Sequence, residues 1–408
     1  MNVDFDPSVL APDPARRERM VELLMVGLEA VDPESLTARA LAGRYEGPTV
    51  VMAMGKAAPA MARGAARAVD VVSGICISDH LETVPEPFAL VLGNHPIPGP
   101  DSLAAGELLL ATARGVADST AVVALVSGGG STLCEVPRPG ITLEFLAEAN
   151  RRLIEAGIGI EEVNLARAHL SAVKCGGVSR AARRPIDTFV LSDVAGADPG
   201  VVASGPTVPR DPDPEAALAV LAKAGIEVTA DVKKAIDAEL PMIGKPAVTL
   251  VADGFDAADA MAAASPQPVT VAPNWLGGPV EAAVQRFLAE AGPGVTIGVG
   301  ETVVEHKGRG RGGRNTHAAL IAARRLAGTD RVFVAFATDG VDGSSQSAGA
   351  IVDGSTLVRG GDPGQALADF DSARYLAASS DLLRCGPTGT NVSDIWIHWR
   401  RSEELAVE

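Results

Sequence analysis

The run Ala121-Val122-Val123-Ala124-Leu125-Val126, followed by Ser127-Gly128-Gly129-Gly130-Ser131-Thr132, decides how this chain folds. A short apolar run that ends in a glycine cluster predicts a strand buried on both faces, as in a parallel sheet. The consecutive glycines predict a tight strand-to-helix turn whose main-chain N–H groups can bind an anion. A turn that needs positive φ angles and binds nothing is the alternative. The segment lacks the pattern GxxxxGK[ST], so it is not a Walker A loop.

The same succession of an apolar strand and a polar or glycine-rich turn recurs along the chain. Strands are predicted at 49–54, 74–78, 88–92, 188–191, 247–251, 269–271, 295–304, 332–336 and 395–399, with helical stretches between most of them. This alternation predicts an α/β fold with a mainly parallel sheet. In such sheets ligands bind beyond the carboxyl ends of the strands. Polar residues stand at these ends: Lys56, Asn94, His95, Asp193, Asp339 and Asp342.

The length of 408 residues predicts two or three domains. The proline-rich passage from Pro206 to Pro214 predicts a linker, after which a second α/β set begins. We therefore expect an N-terminal domain at 1–212 and a smaller C-terminal domain at 213–384. The segment 385–408 could return to pack on the N-terminal domain.

Charge and cysteine usage restrict the class of function. The net charge of -16 argues against nucleic-acid binding, which needs a broad basic surface, but it permits a local cationic pocket for a small anion. The four cysteines are far apart and form no CxxC pair, which predicts neither a zinc site nor a disulfide framework. With no apolar signal segment and no membrane-length apolar run, the expectation is a cytoplasmic protein without a membrane partner.

The segment from Gly308 to Asn315 places three arginines and four glycines in eight residues. Glycine permits close approach of the main chain to a ligand, and arginine offers a planar fork of donors for phosphate or carboxylate. The segment precedes a helical pattern, so an anion at a helix N-terminus is predicted, with a flexible solvated turn as the alternative. Gly308, Gly310 and Gly313 also match G-x-G-x-x-G. The preceding run is polar and the region about 20 residues further on is basic, so a dinucleotide loop is rejected.

Three strand-end positions carry specific expectations. Lys56 follows a strand and begins a helix, where a cation opposes the helix dipole, and this favours phosphate contact over a solvated lysine. Asp193 could accept the proton of a hydroxyl or hold Mg²⁺, with a turn or capping aspartate as the alternative. Asp339 and Asp342, three residues apart, would suit Mg²⁺ or a ribose, and an Asx turn is the alternative.

A helix is predicted over 161–174, with one polar stripe formed by Asn164, Arg167, Ser171 and Lys174. This stripe could face an anionic substrate, or it could be an ordinary solvated face. His169 is predicted to be structural.

Taken together, these motifs resemble the glycerate 2-kinase family, which carries the MOFRL domain and is often mislabelled hydroxypyruvate reductase. The resemblance covers nearly the whole chain in order. Its motifs are Met54–Ala58, Gly93–Pro98, Ser127–Ser131, Asn164–Ser171, Leu191–Val194, Ser204–Thr207, Gly308–Asn315, Thr338–Gly343 and Gly386–Asn391.

The resemblance implies transfer of the γ-phosphoryl group of ATP, with Mg²⁺, to the 2-hydroxyl of D-glycerate. It implies a Rossmann-like N-terminal domain with a parallel sheet and a smaller C-terminal α/β domain of the MOFRL type, with the active site in the cleft. The partners would be small molecules, and a homodimer is left open.

The resemblance places the family's basic and acidic functional positions on Lys56, Asp193 and Arg314, and the motifs described above supply the other residue roles. Catalysis would fall to Lys56, Asp193 and Arg314, and the metal to Asp193 and Asp339. Nucleotide binding would involve Ser127, Gly128, Gly129, Gly130, Ser131, Gly310, Gly312, Gly313, Asp339 and Asp342. Substrate binding would involve Asn94, His95, Arg167, Ser171 and Lys174.

The sequence departs from the family at several positions. Thr316-His317 stands where the family usually has Gln-Glu, and Arg167-Ala168-His169 stands for Arg-Lys-His. Lys174-Cys175-Gly176-Gly177 stands for Lys-Gly-Gly-Arg. These departures leave the acceptor open, so kinase action on a related hydroxy or sugar acid is an alternative. A hydroxypyruvate reductase, which would need a dinucleotide fingerprint, and a nucleotide-binding protein without turnover are two others.

Overall fold

The computed structural model describes residues 3–241, 243–305 and 308–401, and these form two compact units. The central unit is Pro33–Ala252, and the terminal unit joins the residues up to Asp32 with those from Asp253 on. The first helix, α1 (Pro14–Ala30), therefore belongs to the terminal unit. This division differs from the predicted boundaries at 212 and 385. Within the described ranges, no helix is both long and apolar enough to cross a membrane.

A six-stranded sheet, parallel throughout, forms the middle of the central unit. Its strands run in the order β3-β2-β1-β4-β5-β6, which confirms the predicted Rossmann-like arrangement. The bounds are β1 (Pro48–Met54), β2 (Asp70–Ser78), β3 (Phe88–Leu92), β4 (Ala121–Ser127), β5 (Asp187–Leu191) and β6 (Val248–Ala252). The order reverses between β1 and β4, and in this class of sheet the ligand crevice opens at that point.

Nine helices are described in the central unit: α2 (Pro33–Leu41), α3 (Ala58–Ala68), α4 (Pro100–Gly115), α5 (Gly130–Leu133), α6 (Leu143–Glu155), α7 (Ile160–Leu170), α8 (Gly177–Ala182), α9 (Pro214–Lys223) and α10 (Ala230–Asp237). Ala217 and Val220 of α9 share a buried cluster with Leu146 of α6 and Val163 of α7. Together with the pairing of β6 on β5, this packing places 213–252 in the central unit. The proline-rich passage is consequently a loop within this unit, not a domain linker.

The predicted helix over 161–174 is shorter than expected. Helix α7 ends at Leu170, and Ser171 is extended, with φ -111° and ψ 140°. Ser171 then forms an antiparallel bridge with Pro137. Residues 171–174 thus leave the helix and pass beneath the turn that follows β4.

The terminal unit contains a mixed sheet in the order β12-β11-β10-β13-β9-β7, with β8 also paired to β9. Its strands are β7 (Val269–Val271), β8 (Leu276–Pro279), β9 (Gly294–Val303), β10 (Val332–Ala337), β11 (Gly349–Asp353), β12 (Leu382–Leu383) and β13 (Asp394–Arg400). Strands β7 and β8 run parallel to β9, and the other pairings are antiparallel. Because β13 lies between β10 and β9, its residues belong to this unit, contrary to the expectation for 385–408. Residues 402–408 of that expectation lie outside the described part.

The helices of the terminal unit after α1 are α11 (Gly254–Ala264), α12 (Val280–Glu290), α13 (Arg314–Leu326), α14 (Thr356–Gly360), α15 (Gly364–Ala368) and α16 (Ser372–Ala378). Buried ion pairs join α1 to this unit. The Arg17 guanidinium is fully buried, with its Nε 3.1 Å from Asp353 and its Nη2 2.5 Å from Asp381. A buried arginine needs such partners, since desolvation of an unpaired charge costs several kcal/mol.

Candidate active site

Two strand-to-helix turns meet at the switch point of the central sheet. The Lys56 N–H donates to the Gly128 carbonyl oxygen at 2.9 Å, and the Ala57 N–H donates to Ser127 Oγ at 3.1 Å. Gly55 adopts φ +121°, and a Cβ there would lie 2.2 Å from Ser127 Oγ. Only glycine fits this contact, so the turns after β1 and β4 hold each other in place.

The turn after β4 leaves a row of donors at this position. Gly129 has φ +83° and precedes α5. Across the described residues, the N–H groups of Gly129, Gly130 and Ser131 donate no hydrogen bond to protein atoms. Consecutive main-chain donors of this kind form the concave nest that binds anions. This geometry supports the predicted phosphate cradle at Ser127–Ser131.

The Lys56 side chain lies beside the nest. A Cβ placed on Gly129 would lie 3.0 Å from Lys56 Cγ, so the lysine stem passes over this glycine. The charge of Lys56 also acts on Asp79, which follows β2. Burial acts to raise the pKa of Asp79, but the hydrogen bond from His80 and the positive charges of His80 and Lys56 hold it below its ordinary value. A cation beside free N–H groups is a suitable environment for phosphate.

Asp79 and His80 were not among the predicted site residues. His80 Nδ1 lies 2.7 Å from Asp79, and its Nε2 lies 3.1 Å from Glu82. These two carboxylates raise the pKa of His80 to about 9, although burial opposes the shift. Their position in the sequence could have identified them, because Ser78-Asp79-His80 stands at the end of β2, the strand that pairs with β1.

The polar stripe that begins on α7 is buried and is not a solvated face. Arg167, Ser171 and Lys174 are all buried, with exposed fractions of 6, 1 and 0%. Lys174 Nζ donates to the carbonyl oxygens of Cys134 at 3.0 Å and Gly130 at 3.3 Å. Lys174 therefore supports the nest from beneath.

The same buried network extends to both sides of Lys174. Ser171 donates to Glu135, whose other oxygen lies 3.9 Å from Lys174 Nζ. Burial raises the pKa of Glu135, and the charge of Lys174 opposes that shift. Arg167 donates to Asn150 at 2.7 Å and to Ser204 at 3.3 Å. Arg167, Ser171 and Lys174 therefore all bond within the protein, and their predicted contact with substrate stays a prediction.

The Ser204 hydroxyl joins this network to the nest, because its Oγ lies 2.9 Å from Ser131 Oγ. Arg167 consequently positions a residue of the glycine turn through a single serine. The sequence alone assigned no site role to Asn150, Glu135 or Ser204, because these residues come from three separate segments of the chain.

The other predicted substrate residues of the central unit differ in environment. Asn94 Oδ1 accepts from the N–H groups of Asp101 at 2.9 Å and Ser102 at 3.3 Å, so Asn94 caps α4. The expected substrate contact of Asn94 is therefore replaced by a helix cap. His95 is exposed. Asp193 is half-buried and follows β5, which is adjacent to β4.

The glycines of the terminal unit are used differently from those of the central unit. The N–H groups of Gly310, Gly312 and Gly313 donate to Asp369 O at 3.1 Å, Ser344 Oγ at 3.2 Å and Thr316 Oγ1 at 2.8 Å. A Cβ on Gly313 would lie 2.3 Å from Asp342, and one on Gly310 would meet residues 369–371. These glycines permit close packing on protein rather than on a ligand. The predicted nucleotide contacts through their N–H groups have no donor to use.

Asp342 occupies the N-terminus of α13. Its two carboxylate oxygens accept from the N–H of Asn315 at 2.9 Å and from that of Thr316 at 2.7 Å. The side chain is buried, and burial raises its pKa to about 6, although the two backbone hydrogen bonds oppose that rise. The helix end that was predicted to bind an external anion thus holds the protein's own carboxylate, and Asp342 is a cap instead of a ligand contact.

Asp339 forms the Asx turn that was the alternative prediction, accepting from the Val341 N–H at 3.0 Å. Its side chain is half-buried.

Arg314 is the first residue of α13 and is held by two carboxylates. Its Nε and Nη2 contact Asp394 at 2.5 and 3.0 Å, and its Nη1 donates to Glu301. Burial opposes the charge, but these carboxylates raise the pKa of Arg314. The side chain is 33% exposed, and three of its five N–H donors are used. Two donors remain for an anion.

The departure at Thr316-His317 lies in the interior of the terminal unit. Thr316 is fully buried, and its hydroxyl bonds to Gly313 and Ser372. His317 is 3% exposed and stacks on Phe370, with ring centroids 5.1 Å apart. Both side chains are buried in this unit, and His317 Nε2 also lies 3.7 Å from Glu281.

The described residues contain no group of three or more histidine, cysteine, aspartate or glutamate side chains arranged around a metal position. Mg²⁺ is usually held by only one or two carboxylates, with phosphate oxygens and water completing its shell. Asp193 and Asp339, which are single carboxylates in loops after β5 and β10, fit that more limited requirement.

Comparisons with known proteins cover almost the whole chain. Residues 19–237 match a domain of unknown function, DUF4147, and residues 294–394 match the MOFRL family. A D-glycerate 2-kinase of Thermotoga maritima is 34% identical, with 96% of this chain and 99% of that protein covered. An Agrobacterium vitis relative, 35% identical over 94% of each chain, carries a provisional hydroxypyruvate reductase name. A crystal structure of a Thermotoga maritima glycerate kinase matches with a TM-score of 0.85 and 33% identity, covering 95% of this chain and 99% of that one.

Proposed function

The chain belongs to the glycerate 2-kinase family, and from that premise we propose that it transfers the γ-phosphoryl group of ATP, with Mg²⁺, to the 2-hydroxyl of D-glycerate. One observation carries the proposal beyond the family likeness. Three main-chain N–H groups that have no acceptor among the described residues lie beside Lys56 at the switch point of the parallel sheet. Phosphoryl transfer depends on positioning and on neutralising charge, and this arrangement supplies both.

We assign the nucleotide phosphates to the N–H groups of Gly129, Gly130 and Ser131. Lys56 neutralises phosphate charge next to them, and Asp79 restrains its ammonium group through an opposite charge. In the terminal unit, the two remaining donors of Arg314 are assigned to the transferring phosphoryl group. The bidentate contact with Asp394 fixes the plane of this guanidinium, which lowers the entropy lost when an anion binds.

Mg²⁺, when bound, would neutralise phosphate charge, and we propose Asp193 of the central unit and Asp339 of the terminal unit as two separate candidates for holding it. Asp193 has a second possible task, acceptance of the proton from the 2-hydroxyl of glycerate. A substitution with asparagine would separate the two tasks, because an amide oxygen still ligates a metal but cannot take up that proton.

The decisive assay combines purified protein, ATP, Mg²⁺ and D-glycerate and measures release of ADP. Added enolase, with no mutase present, should form phosphoenolpyruvate, because only the 2-phosphate is its substrate. Absence of ADP release would refute the proposal, and ADP release that needs a mutase for phosphoenolpyruvate would refute the 2-position. Parallel reactions with other hydroxy acids and sugar acids test the alternative acceptors.

The hydroxypyruvate reductase activity suggested by the Agrobacterium vitis relative is tested in the same preparation. We expect no NADH oxidation with hydroxypyruvate, since the N–H groups of Gly310 and Gly313 in the G-x-G-x-x-G pattern are already bonded to protein. Oxidation at a rate comparable with phosphorylation would contradict that expectation.

A further inference from the structure

A cavity of about 450 Å³ in the terminal unit has an unusual lining for a protein of net charge -16. Four arginines line it, Arg309, Arg311, Arg374 and Arg384. Among the described residues of this lining, Asp371 is the only carboxylate. The cavity therefore concentrates positive charge on a chain that is otherwise acidic.

Two of the four arginines have a carboxylate partner among the described residues, and the other two do not. Asp371 accepts from the backbone N–H of Arg311 at 2.9 Å and lies 3.7 Å from Arg374, while Arg384 lies 3.9 Å from Asp6. In the described part of the chain, the guanidinium groups of Arg309 and Arg311 form no ion pair or hydrogen bond. Unpaired guanidinium groups around one cavity repel each other, and an anion between them removes that repulsion.

The backbone around the cavity also indicates how a ligand would be held. The Gly310 N–H is already bonded to Asp369, so binding must use the arginine side chains. Gln346, in the wall of the cavity, has φ +56°, a left-handed conformation that is unfavourable for a residue with a Cβ. Such strained residues occur most often where the fold holds a ligand site.

We propose that this cavity binds a polyphosphate chain through the guanidinium groups of Arg309, Arg311 and Arg374. A linear chain of phosphates carries several negative charges and offers paired oxygens to each arginine fork. The phosphate chain is that of a nucleoside triphosphate or of free inorganic triphosphate, because the two ligands share this chemistry. The site goes beyond the proposed kinase reaction, because Arg314 does not line it.

The test is calorimetric titration of the full-length protein with sodium triphosphate, without divalent metal and at low salt. The double variant Arg309→Gln/Arg311→Gln should weaken binding about tenfold or more, since each lost charge-assisted pair costs on the order of 1 kcal/mol. The matched control is Arg324→Gln/Arg325→Gln, which removes the same charge from exposed positions in the last turn of α13. The control should bind like the unaltered protein. Equal weakening in both variants, or in neither, overturns the proposal.

The glycine turn of the central unit could also bind triphosphate, so the titration is repeated with Lys56→Met. We expect the arginine-dependent binding to persist in that background, and its loss there contradicts the proposal. If Arg309→Gln/Arg311→Gln has an altered near-ultraviolet circular dichroism spectrum, the single variant Arg374→Gln replaces it, because that side chain is 86% exposed. If ATP binds more tightly than inorganic triphosphate, the ligand of this cavity is a nucleotide. If the two bind equally, the ligand is the free anion. No turnover is measured, so failure of the kinase assay leaves this result unaffected.

Discussion

The carboxylate of Asp342 accepts a hydrogen bond of 2.7 Å from the backbone N–H of Thr316. With its second oxygen bonded to the Asn315 N–H, it satisfies two of the donors that open every helix. The segment rich in arginine and glycine before α13 is therefore held by hydrogen bonds within the protein. The N–H groups of residues 310–313 already bond to protein acceptors, so the arginine side chains are its main donors to an anion.

Replacement of Asp342 by alanine should lower the free energy of unfolding by about 1–3 kcal/mol, because two buried N–H groups lose their acceptor. Asp342→Asn should lower it less, since the amide oxygen still accepts one of the bonds. Urea denaturation measures both variants. Equal stability of Asp342→Ala and the unaltered protein would show that the cap does not stabilise α13.

Replacement of Lys56 by methionine should reduce kcat by about 100-fold or more, because a charge next to the transferring group is lost while the fold is kept. Lys234→Met, an exposed substitution on α10, is the matched control and should leave kcat unchanged. Steady-state kinetics with D-glycerate and ATP and a thermal melt of each variant provide the measurement. A kcat within a factor of a few of the control would remove Lys56 from the mechanism.

Arg314 must be tested together with its carboxylate partner. Arg314→Ala should abolish turnover, but it should also destabilise the terminal unit, because Asp394 is nearly inaccessible to water and would keep an uncompensated charge. The double variant Arg314→Ala/Asp394→Asn should regain stability without regaining activity. Chemical denaturation and the ADP assay separate these effects. Recovery of turnover in the double variant would indicate that Arg314 only neutralises Asp394.

Lys174 and Glu135 form a second pair suited to a double-variant cycle. Lys174→Met should cost about 3–5 kcal/mol of unfolding free energy, because it leaves Glu135 buried without its cation and the Gly130 carbonyl without its donor. Lys174→Met/Glu135→Gln should cost clearly less. If the two single changes were simply additive in urea denaturation, the pair would not be coupled.

His398 gives a pH dependence whose sign follows from burial. The side chain is fully buried, and burial, with Arg331 and Arg400 nearby, lowers its pKa to about 4. The pKa of His398 is near 6.5 in the unfolded chain and about 4 in the folded chain. Between these two pH values, the unfolded chain binds a proton that the folded chain does not. Stability therefore falls as the pH falls through this window, by roughly 3 kcal/mol in total.

The measurement for His398 is the difference in unfolding free energy between the unaltered protein and His398→Leu at several pH values. This difference should fall as the pH decreases from 7 to 4 and stay level above 7. A difference independent of pH would mean that His398 is accessible to protons in the folded state. Because both proteins share every other titrating group, those contributions cancel.

The position of the site could be predicted from the sequence because apolar strands and their polar ends follow a simple periodic pattern. Lys56 and Ser127–Ser131 stand at such ends, and the structure brings them together at the switch point. The turn after β4 and the segment before α13 are both rich in glycine, but their N–H groups have different partners in the structure. The turn after β4 keeps its donors free, whereas the one before α13 bonds to Ser344 and Asp369, which no local pattern indicates.

The contacts of the polar stripe and the limits of the two compact units both depend on pairing between distant segments. Arg167 and Lys174 look like surface residues in the sequence because their partners, Asn150 and Glu135, come from other segments of the chain. Prolines before α9 look like a linker, but the apolar face of α9 has its partners in α6 and α7. Long-range pairing decides both cases, and one sequence does not reveal it.

The place of β13 between β10 and β9 has a consequence for synthesis of the chain. Residues 394–400 leave the ribosome after every other strand of that sheet, yet they are required at its interior. Until they emerge, β10 and β9 each present an unpaired edge, and α1 has no finished surface to cover. The stretch from Pro33 to Ala252 has by then long been available, with all six strands of its own sheet. Nascent chains should consequently pass through a stage in which the central unit resists proteases while the terminal unit is still cleaved.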